Sequence, residues 1–218
     1  MSYRFILFDL DGVLYDSENA YMRTNQAFLR EVLGIDAPLS ELNKLVGATI
    51  DDYARYFQEM SGNKYSSPDD AWAAYTAWSK DRNLRYADLM YPEVPEILAW
   101  LADQGYQLGL ISSTRHRYII EALEDSGIRP YFSVIVGGDD VSHPKPHPEP
   151  YLKGMEALGA TAEETLVVED SSLGIRSAEK AGATVVGRRH PEYAFQDLVP
   201  CTFVIDNLTE LKNILGEA

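Results

Sequence analysis

The chain has 218 residues, is 45% apolar and 24% charged, and carries a formal charge of −15. That length and apolar share suffice for a full buried core, while the excess of acid argues against a nucleic-acid backbone as partner. A single cysteine, Cys201, excludes an internal disulfide.

No stretch reaches the length of a membrane-spanning helix. The first residues also lack a basic start followed by an apolar run and a small-residue cleavage site. A cytoplasmic location and no membrane partner are therefore the expectations; oligomeric state is left open, with a monomer favoured. An acidic chain that binds a phosphate must concentrate positive charge locally, from lysine, arginine, a metal or helix N-termini.

In chain order, residues 4–9 read as a buried strand, Phe5-Ile6-Leu7-Phe8 running into Asp9, and Leu10-Asp11-Gly12 follows at once. A helical rhythm then holds to about residue 87. Tyr21, Phe28, Leu29, Val32 and Leu33 recur at helical spacing and Gly34 is a stop signal. Thr49 and Asp52 have the spacing of a capping box, and Ile50, Tyr53, Phe57 and Met60 form a stripe that ends at Gly62. A further helix begins at Ala71 and runs to Trp78.

From residue 93 strands and helices alternate. Helices are predicted over 93–104, 115–126, 148–158, 172–181 and 207–215, and strands over 107–112, 132–136, 165–169, 183–187 and 202–205. Glycines follow the first four of these helices. Such alternation implies βαβ units and a parallel sheet. The expected fold is α/β: a Rossmann-like three-layer core of residues 1–15 and 88–218, with residues 16–87 inserted as an α-helical cap.

Four segments fall at predicted strand ends, where open α/β sheets gather their chemistry. They are Asp9-Leu10-Asp11, Ile111-Ser112-Ser113-Thr114, Lys145-Pro146 and Val168-Glu169-Asp170-Ser171. Asp9, Asp11, Glu169 and Asp170 supply oxygen donors suited to Mg²⁺. Ser112 with the amides of Ser113 and Thr114 opens a helix and suits an anion. Lys145, between prolines, offers a point charge. Each segment alone also has a plain structural reading: a solvated strand end, an N-cap, a loop lysine. Jointly they describe a phosphoryl-transfer site.

The order of the four segments resembles that of the haloacid dehalogenase superfamily. The resemblance rests on Asp9-Leu10-Asp11-Gly12-Val13-Leu14, Ile111-Ser112-Ser113, Lys145-Pro146-His147-Pro148 and Glu169-Asp170-Ser171-Ser172-Leu173-Gly174-Ile175. With a helical insert after the first motif, the chain is similar to the subgroup of β-phosphoglucomutase and small sugar-phosphate phosphatases. The resemblance implies that Asp9 attacks phosphorus and that Asp11 serves as acid and then base. It further implies that Asp9, the carbonyl of Asp11 and Asp170 hold Mg²⁺, with Glu169 a direct or water-mediated ligand. Ser112, the amide of Ser113 and Lys145 would bind the phosphoryl oxygens, and Lys145 should keep Asp9 ionised.

Within that resemblance, an aspartate at position 11 implies an alcohol leaving group, hence a phosphate ester rather than a halide. The mutase is the alternative. Its cap histidine and cap-loop arginine fall here on Tyr21 and Ile50, which favours hydrolysis. A receiver-like acidic regulatory protein is the non-enzyme alternative, and the inserted cap argues against it. The expected partner is a small phosphorylated metabolite, a sugar phosphate or a relative of one. Tyr21, Asn25, Gly47, Thr49 and Arg115 are the candidates for recognising it. His143 and His147 suggest a metal, against which stands their place in a loop. Asp139-Asp140 reads as a solvated turn.

Overall fold

The computed structural model describes residues 3–42, 45, 50–62, 64–80, 85–190 and 198–216. The chain falls into two compact units, residues 1–16 with 85–218, and residues 17–84.

The larger unit is built on six parallel strands: β1 (Phe5–Phe8), β2 (Gln107–Ile111), β3 (Phe132–Val136), β4 (Thr165–Glu169), β5 (Thr184–Arg188) and β6 (Phe203–Ile205). Their order is β3-β2-β1-β4-β5-β6. The chain winds outward through β2 and β3, then outward on the other side through β4, β5 and β6. The direction reverses between β1 and β4, the position where open α/β sheets open a crevice. Phe8 pairs with Val168, so Asp9 and Glu169 leave the sheet side by side.

Both faces of the sheet are covered, which explains why its strands read as unbroken apolar runs. Ile6 and Phe8 point to one face and join a core with Leu108, Leu110, Leu166 and Val168. Helices α6 (Val94–Asp103), α7 (His116–Asp125) and α10 (Leu211–Gly216) close that side through residues such as Ile97, Ile119 and Leu211. Leu7, one residue out of phase, points to the opposite face. There Ile111, Val167 and Val185 pack with Tyr151 and Met155 of α8 (Glu149–Leu158) and Ile175 and Ala178 of α9 (Ser172–Lys180). This is the three-layer Rossmann-like arrangement expected from the alternation of elements.

The smaller unit is helical: α1 (Ser17–Phe28), α2 (Leu39–Leu42), α3 (Ile50–Met60) and α4 (Pro68–Ser79). It has its own core, in which Phe28, Phe57 and Tyr75 meet. Phe57 and Tyr75 stack with ring centroids 4.8 Å apart, and Phe28 stands edge-on to Tyr75 at 5.2 Å. Two local features differ from the sequence pattern. After Phe28 the helix widens into a π-helical turn, Leu29–Leu33, before Gly34 ends it at φ +73°. Helix α4 starts three residues before Ala71, because Ser67 caps it by accepting from the Asp70 amide and Pro68 fills its first turn. The capping-box residue Thr49 lies outside the described residues.

A short helix, α5 (Tyr86–Leu89), belongs to the larger unit. Among the described residues no helix is long and apolar enough to cross a membrane.

Candidate active site

Lys145 organises the strand ends. Its Nζ lies 2.5 Å from Asp9 Oδ1, 2.5 Å from Glu169 Oε1 and 3.1 Å from the carbonyl of Ile111. An ammonium has three N–H donors. Here they reach the ends of β1, β4 and β2, and the ring of Tyr151 lies 5.1 Å from the same nitrogen.

Glu169 is fully buried. One oxygen accepts from Lys145 and from Tyr151 Oη at 2.7 Å. The other accepts from the amides of Asp170 and Ser171 and from Ser171 Oγ. Ser171 Oγ accepts in turn from the Gly174 amide, capping α9. A Cβ on Gly174 would stand 1.7 Å from Glu169 Oε1, so the helix approaches the carboxylate this closely only with glycine there.

Gly12 plays the matching part in the first loop. It has φ +75°, and a Cβ on it would lie 1.9 Å from Asp170 Oδ2. The turn it occupies is tight: Leu10's carbonyl accepts from the Leu14 amide at 2.9 Å and Gly12's amide donates to Tyr15's carbonyl at 2.8 Å. From behind, His190 Nε2 donates to the Gly12 carbonyl at 2.7 Å, and Arg188 donates to the carbonyl of Val13. Arg188 also pairs with Glu93 at 2.8 Å and lies 3.7 Å from the ring centre of Tyr91. These buried donors satisfy loop carbonyls that the sheet cannot reach.

Asp11 accepts from Thr114 Oγ1 at 2.9 Å, which fixes one of its oxygens. Ser112 is buried; its Oγ accepts from the Thr114 amide at 3.0 Å, leaving its own proton to donate. Ser113 and Arg115 are exposed, Arg115 as the residue before α7. Asp139 and Asp140 serve that helix start: Asp139 accepts from the His116 amide at 2.7 Å, and Asp140 pairs with His116 Nδ1 and accepts from the Gly137 amide.

Within the helical unit, Tyr21 is exposed and Asn25 is buried, with no hydrogen-bond partner for either atom of its amide. Gly47 and Thr49 lie outside the described residues.

Electrostatics separate the acids. Glu169 is held below the usual carboxylate range: burial pushes it up, but the charge of Lys145 and the hydrogen bonds from Lys145, Tyr151 and Ser171 outweigh burial. Asp9 goes the other way. Burial raises it well above the usual range, Glu169 and Asp11 add repulsion, and Lys145 offsets only part. Lys145 does favour the ionised form of Asp9, but burial, the largest influence, outweighs it, so Lys145 alone does not keep Asp9 ionised as expected. Lys145 itself is desolvated by burial, yet the two carboxylates hold its pKa above the ordinary lysine value.

An ionised Asp9 therefore calls for a further cation. Ligand oxygens of Asp9, Glu169 and Asp170 lie within 4.8 Å of one another. This all-oxygen set fits Mg²⁺.

Tyr151, Gly12 and Gly174 were not singled out as site residues by sequence, and Thr114 only for its backbone amide, not for its hydroxyl on Asp11. Gly12 and Gly174 did stand inside motifs; Tyr151 lies on the apolar stripe of α8 and carried no separate signal.

The profile of haloacid dehalogenase-like hydrolases matches residues 6–188. Phosphoglycolate phosphatase of Nitrosococcus oceani is 30% identical, over 98% of this chain and 96% of that protein. Pyrophosphatase PpaX of Oceanobacillus iheyensis is 29% identical, over 91% and 94%. The solved structure of a candidate β-phosphoglucomutase from Thermotoga maritima superposes with a TM-score of 0.78 at 27% identity and covers all of both chains.

Proposed function

The chain belongs to the haloacid dehalogenase-like hydrolases and is a phosphatase, and we propose that it hydrolyses a small phosphomonoester with the help of Mg²⁺ through an aspartyl-phosphate on Asp9. The observation that carries this reading is the Lys145 hub, which brings Asp9 and Glu169 to one ammonium at the point where the sheet reverses direction.

Asp9 and Asp170, with the carbonyl of Asp11, would hold the metal. Both oxygens of Glu169 already accept protein hydrogen bonds, which favours a water-mediated role for it. When bound, Mg²⁺ would neutralise charge on the phosphoryl oxygens.

The remaining chemistry belongs to the chain. The Asp9 carboxylate forms a bond to phosphorus as the ester P–O bond breaks. Asp11, steadied by Thr114, gives its proton to the departing alkoxide oxygen. It then takes a proton from water, whose oxygen attacks phosphorus. Inorganic phosphate leaves and Asp9 is restored. Ser112 Oγ, the Ser113 amide and Lys145 orient the phosphoryl group. Lys145's 3.1 Å bond to the Ile111 carbonyl is its longest, so that donor is the one to turn toward a phosphoryl oxygen.

Substrate recognition beyond the phosphate is assigned to Tyr21, Asn25 and Arg115, with Gly47 and Thr49 as further candidates. The unpartnered buried amide of Asn25 supports its place in that set. A sugar phosphate is the proposed substrate class, and a cytoplasmic monomer the proposed form.

The test is turnover of p-nitrophenyl phosphate and of a panel holding sugar phosphates, 2-phosphoglycolate and pyrophosphate, with and without Mg²⁺. Metal-dependent release of phosphate, lost in Asp9→Asn and Asp11→Asn, is expected. No turnover on any ester overturns the reading. Interconversion of hexose 1- and 6-phosphates in place of hydrolysis makes the protein a mutase.

A further inference from the structure

Residues 143–148 alternate with proline: His143-Pro144-Lys145-Pro146-His147-Pro148. Fully extended, such alternation would send His143, Lys145 and His147 to the same side. The chain instead turns, with the His147 amide donating to the Pro144 carbonyl at 2.9 Å. Lys145, at the tip, goes inward and keeps 6% of its side chain exposed. His143 and His147 stay outside, their ring centres 4.6 Å apart.

Glu149 completes the group. Its Oε2 is 2.7 Å from His143 Nδ1, and its two oxygens accept from the amides of Ser142 and His143. One ligand atom from each of His143, His147 and Glu149 lies within 4.8 Å of the others.

We propose that His143, His147 and Glu149 form a surface site for one divalent transition-metal ion, Zn²⁺ in the first place, separate from the phosphoryl-transfer centre. Two imidazoles and one carboxylate suit Zn²⁺, Ni²⁺ or Cu²⁺, whereas the all-oxygen set around Asp9 suits Mg²⁺. A tetrahedral site with bonds of about 2.0–2.1 Å needs ligand atoms roughly 3.3 Å apart. Closing from at most 4.8 Å therefore takes a shift of at most about 1.5 Å, within reach of rotamer changes in the exposed histidines, and a water fills the fourth position.

The backbone beneath is already held. Ser177 Oγ donates to the His147 carbonyl at 2.6 Å and Lys180 Nζ to the Pro146 carbonyl at 3.1 Å. Three prolines restrict the loop further. Little ordering entropy remains to oppose the metal. Because the ligands lie on both sides of the turn that delivers Lys145, an ion here clamps that turn from outside.

The experiment is Zn²⁺ titration by calorimetry at saturating Mg²⁺, on wild type, Asp170→Asn and the double variant His143→Gln/His147→Gln. Thermal melts with and without Zn²⁺ accompany it, and Co²⁺ absorption reports the ligand type. One Zn²⁺ per chain is expected in wild type and in Asp170→Asn, bound at least tenfold more weakly in the double variant. Zn²⁺ should raise the melting temperature of the first two only. Unchanged affinity in the double variant overturns the proposal, as does loss of Zn²⁺ binding in Asp170→Asn, which would place the ion at the Mg²⁺ centre. Neither result bears on whether the protein is a phosphatase.

Discussion

Replacing Lys145 by methionine keeps an apolar stem and removes the ammonium. In the wild type that group stands 2.5 Å from Asp9 Oδ1 and 2.5 Å from Glu169 Oε1, on side chains that are 11% and 0% exposed. At an effective dielectric of about 20, each contact carries about 7 kcal/mol of attraction. Desolvation of the three groups offsets most of it, so the expected loss is the roughly 3–5 kcal/mol of a buried charge left alone. The dependence on pH follows from Glu169. Its pKa is lowered in the folded wild type, so its stabilising contribution is present above the unfolded value near ~4.3 and is lost as pH falls through the folded value. Without Lys145, burial, already its largest single influence, is no longer outweighed and drives its pKa upward. The deficit of the variant is then greatest at pH 8 and shrinks toward pH 5, where the carboxyl takes up a proton. Urea unfolding at both pH values, without Mg²⁺, measures this directly. A loss below about 1 kcal/mol at pH 8, the range of an exposed pair, or a loss that ignores pH, would refute the claim that Lys145 holds the strand ends together.

Three further perturbations probe the same centre. Gly12→Ala forces a side chain onto a φ of +75° and a Cβ to within 1.9 Å of Asp170 Oδ2. It should cost about 1–2 kcal/mol in backbone strain and weaken Mg²⁺ activation, read as a rightward shift of the metal titration of activity; an unshifted curve contradicts the assigned contact. Thr114→Val removes the donor to Asp11 Oδ2. A hydrogen bond to a charged group is worth about 1.5–3 kcal/mol, so kcat should fall about tenfold or more with KM little changed; a change confined to KM counts against Asp11 as the proton carrier. Asn25→Leu replaces a buried amide without hydrogen-bond partners by an apolar group of similar shape. Thermal stability should hold or rise while KM for the natural ester increases; an unaltered KM across the substrate panel removes Asn25 from the recognition set.

The sheet was legible because burial on both faces leaves an unmistakable trace. Phe5 to Phe8 are all buried, and so are all five residues of Thr165–Glu169, so neither strand shows the polar alternation of a one-sided sheet. Helix ends were legible where a glycine in the left-handed region closes them, as Gly159 closes α8 at φ +65°. Less visible was the start of α4, whose Ser67-Pro68 signal precedes its first apolar residue. The π-helical turn at Leu29–Leu33 was also missed, since hydrophobic spacing scarcely changes when one residue is added to a turn.

At the site, the charged residues announced themselves and their partners did not. Asp9, Lys145, Glu169 and Asp170 are costly to bury, so their place at strand ends already asks for an explanation. Tyr151 is an aromatic residue on a helix facing the core, and nothing in its spacing says that its hydroxyl completes the shell of Glu169 at 2.7 Å. Gly12 and Gly174 matter through what they leave out. The Asp170 carboxylate fills the space of one absent Cβ and the Glu169 carboxylate that of the other. Two adjacent acids thus take different partners at one strand end. Glu169 turns inward to fix Lys145 through an oxygen shared with Tyr151, and Asp170 turns toward the first loop beside Asp9. That division is set by two glycines 162 residues apart in sequence, 174 less 12, and becomes readable only when the fold brings both against the same pair of carboxylates.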